Sequence, residues 1–496
     1  MSVSFGDFYK SFGFSEYPFS VYTSENERSH GKDLFVDFSM YSPIIEGFNN
    51  GRTMLLAGDR GTGKTAIIYD FCRKVDENCL VVNISDYSDL KVGFNSEDFY
   101  NYIICQLSER LFAKMASDKK TGSQLNKSDK VLLSYFLAKH VKQASKDDLH
   151  RKIVNLQVDW KTRLGGTIYS ILRIPLNIGA NATVTFLSDI IAQAAGVAKH
   201  PTEFREYFQD MTSAVDDDFS DTGSSLSTLK KLTALAKKVG YSRIVIVLDK
   251  IDEDARLNNS AEEIAEFIEP IVTDVRLLTT EEFQVVVALW IIPYNMLKDK
   301  VRTQKIYCPS VSWDNTDLVS AANRRVSVFS SKNVREVSSI FEDGSDTVGF
   351  LEILELANKN PRDLWHLLDK SFRAQYKIDP NSSKISANAL AHGINDFVCQ
   401  FNFYEYYPRK SNARANSMDI YAYIKHLVKL PGPDFTKNQL NDKAGTGGST
   451  HNYVVAMESM GLVERSGQSG GSTTFRIRDP KVVHALKNNL DIARSN

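Results

Sequence analysis

Cysteine is scarce in this chain: five in 496 residues, scattered as Cys72, Cys79, Cys105, Cys308 and Cys399. No Cys-x-x-Cys occurs, which excludes a disulfide framework and argues against a thiolate metal site. Buried thiols in a reducing compartment fit instead, so a cytoplasmic location is expected. Excess charge is also lacking, since 60 Lys and Arg stand against 61 Asp and Glu for a net −1. That excludes a globally basic nucleic-acid binder and leaves only local patches for such contacts. No stretch supplies the ~20 uninterrupted apolar residues of a membrane span. The least charged segment, 164–198, is broken by Arg173, Pro175, Asn177, Asn181 and Asp189, so no membrane contact is expected. The opening Met1-Ser-Val-Ser-Phe-Gly-Asp7 lacks a basic segment followed by an apolar one, and no signal peptide is read. What remains, 42% hydrophobic and 24% charged, is ordinary for a globular chain of several domains.

The most informative segment is Leu55 to Thr65, where an apolar strand runs into Gly58-Asp59-Arg60-Gly61-Thr62-Gly63-Lys64-Thr65. Glycines at these positions let the backbone turn its N–H groups inward on a polyphosphate. Lys64 then reaches the outer phosphates, and Thr65 offers a hydroxyl to Mg²⁺ at the start of a helix. Gly58 to Thr65 are therefore the expected ATP-binding residues. Such a site needs a carboxylate at the end of a neighbouring buried strand. Arg243-Ile-Val-Ile-Val-Leu248 is that strand, and Asp249 after it is the expected second metal ligand.

Lys250 occupies the place where many such ATPases carry a water-orienting glutamate. The nearest other acids are Asp252 and Glu253. Glu253 is the better general base, with Asp252 assigned to the metal shell or to the turn; alternatively both cap the helix that follows. Slow turnover is expected.

Strands are predicted at Thr53–Ala57, Cys79–Ile84, Arg243–Leu248, Phe283–Ile292 and Lys305–Val311, separated by helical patterns, which gives an α/β parallel sheet. Residues 1–330 form the P-loop core, and 95–225 within it form a helical insertion. Helices are expected there near Phe99–Met115, Lys130–Val141 and Thr202–Ala214, before an acidic linker and the helix Leu226–Val239. Residues 331–408 read as a helical lid containing Asn358-Lys-Asn-Pro361-Arg362. A lid helix beginning there aims Arg362 at the γ-phosphate. Arg324 and Arg325 either reach a neighbouring subunit or are solvated charge at a helix end.

The last unit, 411–496, reads as three helices (Asp419–Leu430, Thr436–Ala444, Ser449–Met460) followed by a hairpin of Leu462–Arg465 and Thr473–Arg478. That order spells a winged helix with Ser449–Met460 as recognition helix. It carries 11 Lys and Arg against 7 Asp and Glu from Ser411 onward. Thr450, His451 and Asn452 suit base contacts in double-stranded DNA, and Lys443, Arg476 and Arg478 suit phosphates. A protein-interaction module is the alternative.

With these motifs in this order, the chain resembles AAA+ ATPases of the origin-recognition-complex (initiator) type. The opening Phe14-Ser-Glu-Tyr-Pro18-Phe19, the insertion and Asp249-x-x-Asp252-Glu253 also resemble bacterial STAND and KAP-like P-loop ATPases. The resemblance implies phosphate binding by Gly58–Thr65, Mg²⁺ binding by Asp249, a second-sensor role for Arg362 and a homo-oligomeric switch. Lys250 departs from the initiator pattern, and Asn295 is the only first-sensor candidate. The second resemblance implies instead a defence sensor, antiviral in some members, triggered by a protein partner.

Overall fold

A computed structural model describes residues 3–23, 27, 30–117, 225–342, 345–409, 418–469 and 471–492, with 129, 132–133, 136 and 139–142. The expected helix at 202–214, the acidic linker and the weakly charged segment 164–198 lie outside the described residues.

The described chain runs α1 (Phe5–Ser11), α2 (Gly31–Leu34), α3 (Tyr41–Asn49), β1 (Met54–Gly58), α4 (Lys64–Lys74), β2 (Cys79–Ile84), α5 (Ser96–Ser117), α6 (Ser225–Val239) and β3 (Arg243–Leu248). It continues through α7 (Ala261–Val272), α8 (Val275–Leu278), β4 (Gln284–Trp290), α9 (Ile291–Leu297), β5 (Ser310–Val311) and α10 (Asn315–Phe329). The next helices are α11 (Ser345–Ala357), α12 (Pro361–Ile378), α13 (Ala387–Gln400) and α14 (Ile420–Leu427). The last elements are β6 (Asp434–Thr436), α15 (Lys437–Ala444), α16 (Thr450–Ser459), β7 (Val463–Ser469), β8 (Ser472–Ile477) and α17 (Pro480–Lys487).

The mixed α/β fold centres on a five-stranded sheet in the order β2-β3-β4-β1-β5, with every described pairing parallel. β1, β3 and β4 are almost wholly buried, as apolar runs such as Met54–Ala57, Ile244–Leu248 and Val285–Trp290 require of strands covered on both faces. Two sequence expectations are corrected. β4 lies between β1 and β3, so the strand ending before Asp249 is not the neighbour of the strand entering the glycine-rich loop. The fifth strand is confined to Ser310–Val311 rather than 305–311, with Tyr307 making only an isolated bridge to Met54.

α5, expected as the start of an insertion, packs with α6 and β2 in one hydrophobic cluster that includes Phe99, Ile103, Leu107, Leu229 and Leu232. A second cluster joins α10 to α13 with the C-terminal elements, and the N-terminal segment enters it: Phe8, Phe12, Phe14 and Phe19 surround Phe372 of α12. The packing thus crosses the sequence positions 330 and 411 at which the chain was divided.

The C-terminal elements build a three-stranded antiparallel sheet, β6-β8-β7, beside α14 to α16. Thr436 caps α15 in a capping box with Gln439, and Gly445 ends it in the left-handed region at φ 67°. β6 was not foreseen, because three residues after Pro433 give no periodicity to read.

Candidate nucleotide site

β1 ends at Gly58 and α4 begins at Lys64, so the five residues Asp59 to Gly63 form a loop between strand and helix. The turn needs glycine twice. Gly61 (φ +81°) and Gly63 (φ +89°) hold left-handed backbone, and a Cβ on Gly61 would lie 2.6 Å from Asn360 Oδ1. Lys64 Nζ donates to the carbonyls of Gly58 (2.9 Å) and Asp59 (2.8 Å). Burial lowers its pKa, opposed by the field of Asp252, Asp249 and Asp59.

Thr65 Oγ1 donates to Asp249 Oδ2 at 2.9 Å, although the two are 184 residues apart. Asp249 is 3% exposed, and burial raises its pKa against the bonds it accepts from Thr65 and the Lys250 N–H. The Asp249 carboxylate and the Thr65 hydroxyl offer oxygen donors of the kind hard divalent cations take, with the Lys64 ammonium charge nearby. Lys250 sits in the left-handed region at φ 62°, and its Nζ lies 4.0 Å from Glu253 Oε2.

The two acids separate sharply. Asp252 accepts from Arg60 Nε at 2.5 Å, and its backbone carbonyl accepts from Arg60 Nη2 at 2.7 Å. Its carboxylate is therefore committed to Arg60 of the glycine-rich loop. Glu253 is exposed and lines the cleft. Arg60 also donates to Asn259 Oδ1 at 2.6 Å and lies 4.1 Å over the Trp290 ring at the end of β4. Asn295 is exposed on α9 and does not line the cleft, so the first-sensor expectation is corrected.

The start of α12 closes one side. Asn360 caps α12, accepting from the Arg362 N–H at 3.0 Å while its Nδ2 donates to the Arg60 carbonyl at 2.6 Å. Arg362, in the first turn, lines the cleft, with Nη1 3.8 Å from Glu405 Oε2. On another side Trp313 donates from its indole N–H to the Thr62 carbonyl (2.8 Å) and stacks on Phe38 at 4.5 Å. The cleft so enclosed has a volume of ≈730 Å³.

Arg325 is neither a subunit-bridging nor a solvated residue. It is 3% exposed, paired with Glu27, and donates to the Pro18 and Val21 carbonyls, pinning the N-terminal segment to the cleft rim. Arg324 is exposed and donates to the Asp33 carbonyl.

Among the suggested DNA contacts, Thr450 is buried and bonded to Thr446 and the Gly447 carbonyl, which corrects its assignment to base edges. His451 and Asn452 are exposed. Arg476 pairs with Asp434 through two bonds of 2.8 and 2.9 Å, and Arg478 lies 3.3 Å from Glu464.

Sequence reading missed Asn259, Asn360, Trp313 and the Arg60–Asp252 pair. The signals were an arginine among the variable positions of the glycine loop, Asn258-Asn259 after the acidic run, and Asn360 just before Pro361-Arg362.

No protein-family model and no curated protein matches the chain. Among solved structures it is similar to the Aeropyrum pernix ORC2 protein in its ADP form, at 11% identity over 92% of each chain with a TM-score of 0.33.

Proposed function

We infer that the chain is an ATP-binding, slowly hydrolysing AAA+-like switch whose nucleotide state governs what its C-terminal unit, a winged helix, contacts. The observation that carries this reading is the Thr65–Asp249 hydrogen bond at the floor of a glycine loop. It supports the reading by joining a hydroxyl and a carboxylate from segments 184 residues apart. Gly58 to Thr65 hold the phosphates, and Thr65 and Asp249 hold Mg²⁺, which would neutralise phosphate charge and orient the chain. Glu253 is the general base or water positioner, and Arg362 reads the γ-phosphate from the lid. Asp252 acts by fixing Arg60. Lys250 beside Asp249 supports slow turnover, since a cation there orients no water as a base would.

Double-stranded DNA is the partner favoured by the surplus of basic side chains in this unit. The pairing of both wing arginines with carboxylates supports a second reading, a protein-triggered sensor with the winged helix as interaction module.

The test is a titration of the full chain with Mg-ATP, followed by duplex binding at low salt with and without nucleotide. Saturable ATP binding lost in Asp249→Asn, with nucleotide-dependent duplex binding, is expected. ATP binding without any duplex binding moves the function to the second reading, and no ATP binding overturns both.

A further inference from the structure

Asn259 stands where three parts of the molecule meet. Its side-chain oxygen accepts from Arg60 of the phosphate loop at 2.6 Å, and its Nδ2 donates to the Tyr404 carbonyl at 2.8 Å. Its own carbonyl accepts from the Arg409 N–H at 2.9 Å, and Ser260 continues the contact as a parallel bridge to Arg409. The amide thus spends its acceptor on the nucleotide loop and a donor on the strap 402–409. Asn258 and Asn259 both adopt left-handed backbone, at φ 51° and 56°. A turn needing only that geometry is met more easily by glycine. The asparagine amide adds what glycine lacks: a bond on each side.

The strap leads onward. Tyr406 donates to Asp363 Oδ1 at 2.7 Å, one residue from Arg362. Tyr407 donates to Asp479 Oδ2 at 2.9 Å, and Asp479 caps α17. Lys481 of α17 closes the circuit on Asp363 at 3.1 Å. The strap is therefore held to Asn259 at Tyr404 and at Arg409, and between those two points to α12 and α17 through Tyr406 and Tyr407.

We propose that Asn259 is a positioning residue that couples occupancy of the phosphate loop to the strap 402–409 and through it to α17. This rests on the reading of the cleft as a nucleotide site. A ligand shifts an equilibrium only through a difference in contacts between two states. Arg60, whose guanidinium is committed to Asp252 and Asn259, is the group whose partners an anion in the loop changes. Asn259 passes that change to the Tyr404 carbonyl, and by reciprocity the strap acts back on the loop.

Hydrogen exchange on the full chain, with and without saturating Mg-ADP, tests this, with nucleotide affinity measured separately by titration. In the wild type, nucleotide is expected to change exchange across 402–409 and Pro480–Lys487 by about 5-fold or more. Asn259→Gly keeps the turn and removes both side-chain bonds. Asn259→Asp keeps an acceptor for Arg60 but cannot donate to Tyr404. Both are expected to bind Mg-ADP while the strap no longer responds; a purely structural role would raise exchange equally with and without nucleotide. An undiminished strap response in Asn259→Asp overturns the proposal. So does a wild type that binds Mg-ADP without any strap response, and that outcome leaves the nucleotide site standing. A wild type that binds no Mg-ADP overturns the site and the coupling together. If Asn259→Gly does not fold, Asn259→Asp decides alone.

Discussion

Lys64 rests its ammonium group on two carbonyls of its own loop, so its charge is already held where phosphate oxygens would arrive. Lys64→Ala removes two or more charge-assisted hydrogen bonds, each worth roughly 1.5–3 kcal/mol. ATP affinity should fall by about 100-fold or more in a direct titration, and unchanged affinity would remove the phosphate-loop reading. Glu253 and Asp252 divide by environment: the first is exposed on the cleft, the second bound to Arg60. Glu253→Gln should retain ATP and abolish turnover in a phosphate-release assay, while Lys250→Glu should raise it. If Glu253→Gln turns over normally, the base lies elsewhere. That the glycine loop, Asp249 and Arg362 line one cleft follows from motifs each written within a single short segment. Arg60–Asp252 and Asn259 were not legible in that way, since each depends on which segments, ~150–200 residues apart, the fold brings together.

Among the elements, β1, β3 and β4 announced themselves by unbroken apolar runs, but their order did not. A run buried on both faces carries no mark of which neighbour it pairs with. The same applies in the C-terminal unit, where α15, α16 and the hairpin were legible from capping residues, helical spacing and glycines. β6 was hidden, and with it the fact that Asp434 faces Arg476 across the ladder. That pairing alters what the β7–β8 hairpin offers to an anion. Both groups are exposed, so the pair itself adds little stability. Asp434→Asn should leave the fold intact and release Arg476. If the wing meets DNA phosphates, duplex affinity should then rise and the salt dependence steepen by about one unit of slope. Arg476→Ala should do the reverse on every sequence. Fluorescence anisotropy at several salt concentrations reads both; a wing that makes no phosphate contact leaves both variants at the wild-type value.

At the scale of the whole molecule, sequence reading placed a boundary at a polar linker, and the packing ignores it. Lys481 is 1% exposed, and its ammonium group lies 3.1 Å from Asp363 Oδ2 and 3.9 Å from Asp479 Oδ1. Burial works against its charge, but the two carboxylates more than offset that and hold its pKa above the ordinary value. The Phe401 and Tyr406 rings lie 4.5 and 5.2 Å from it and exclude water. Asp363, on the lid helix beside Arg362, therefore depends on a lysine more than 100 residues later in the chain. Removing residues 411–496 strips that partner and also Val482 and Leu486 from the shared cluster. The shortened chain should aggregate or unfold rather than persist as an ATP-binding core. Lys481→Met tests the same dependence without truncation: it leaves a buried carboxylate unpaired, which costs about 3–5 kcal/mol. Replacing both groups, Asp363→Leu with Lys481→Met, should recover part of that loss, because it removes the Asp363 carboxylate while Asp479 keeps only its bonds from Tyr407 and the Lys481 N–H. Chemical denaturation of the full-length variants measures both. A single variant as stable as wild type, or a truncated chain that still binds ATP, would show that the two halves fold independently despite the charge they share.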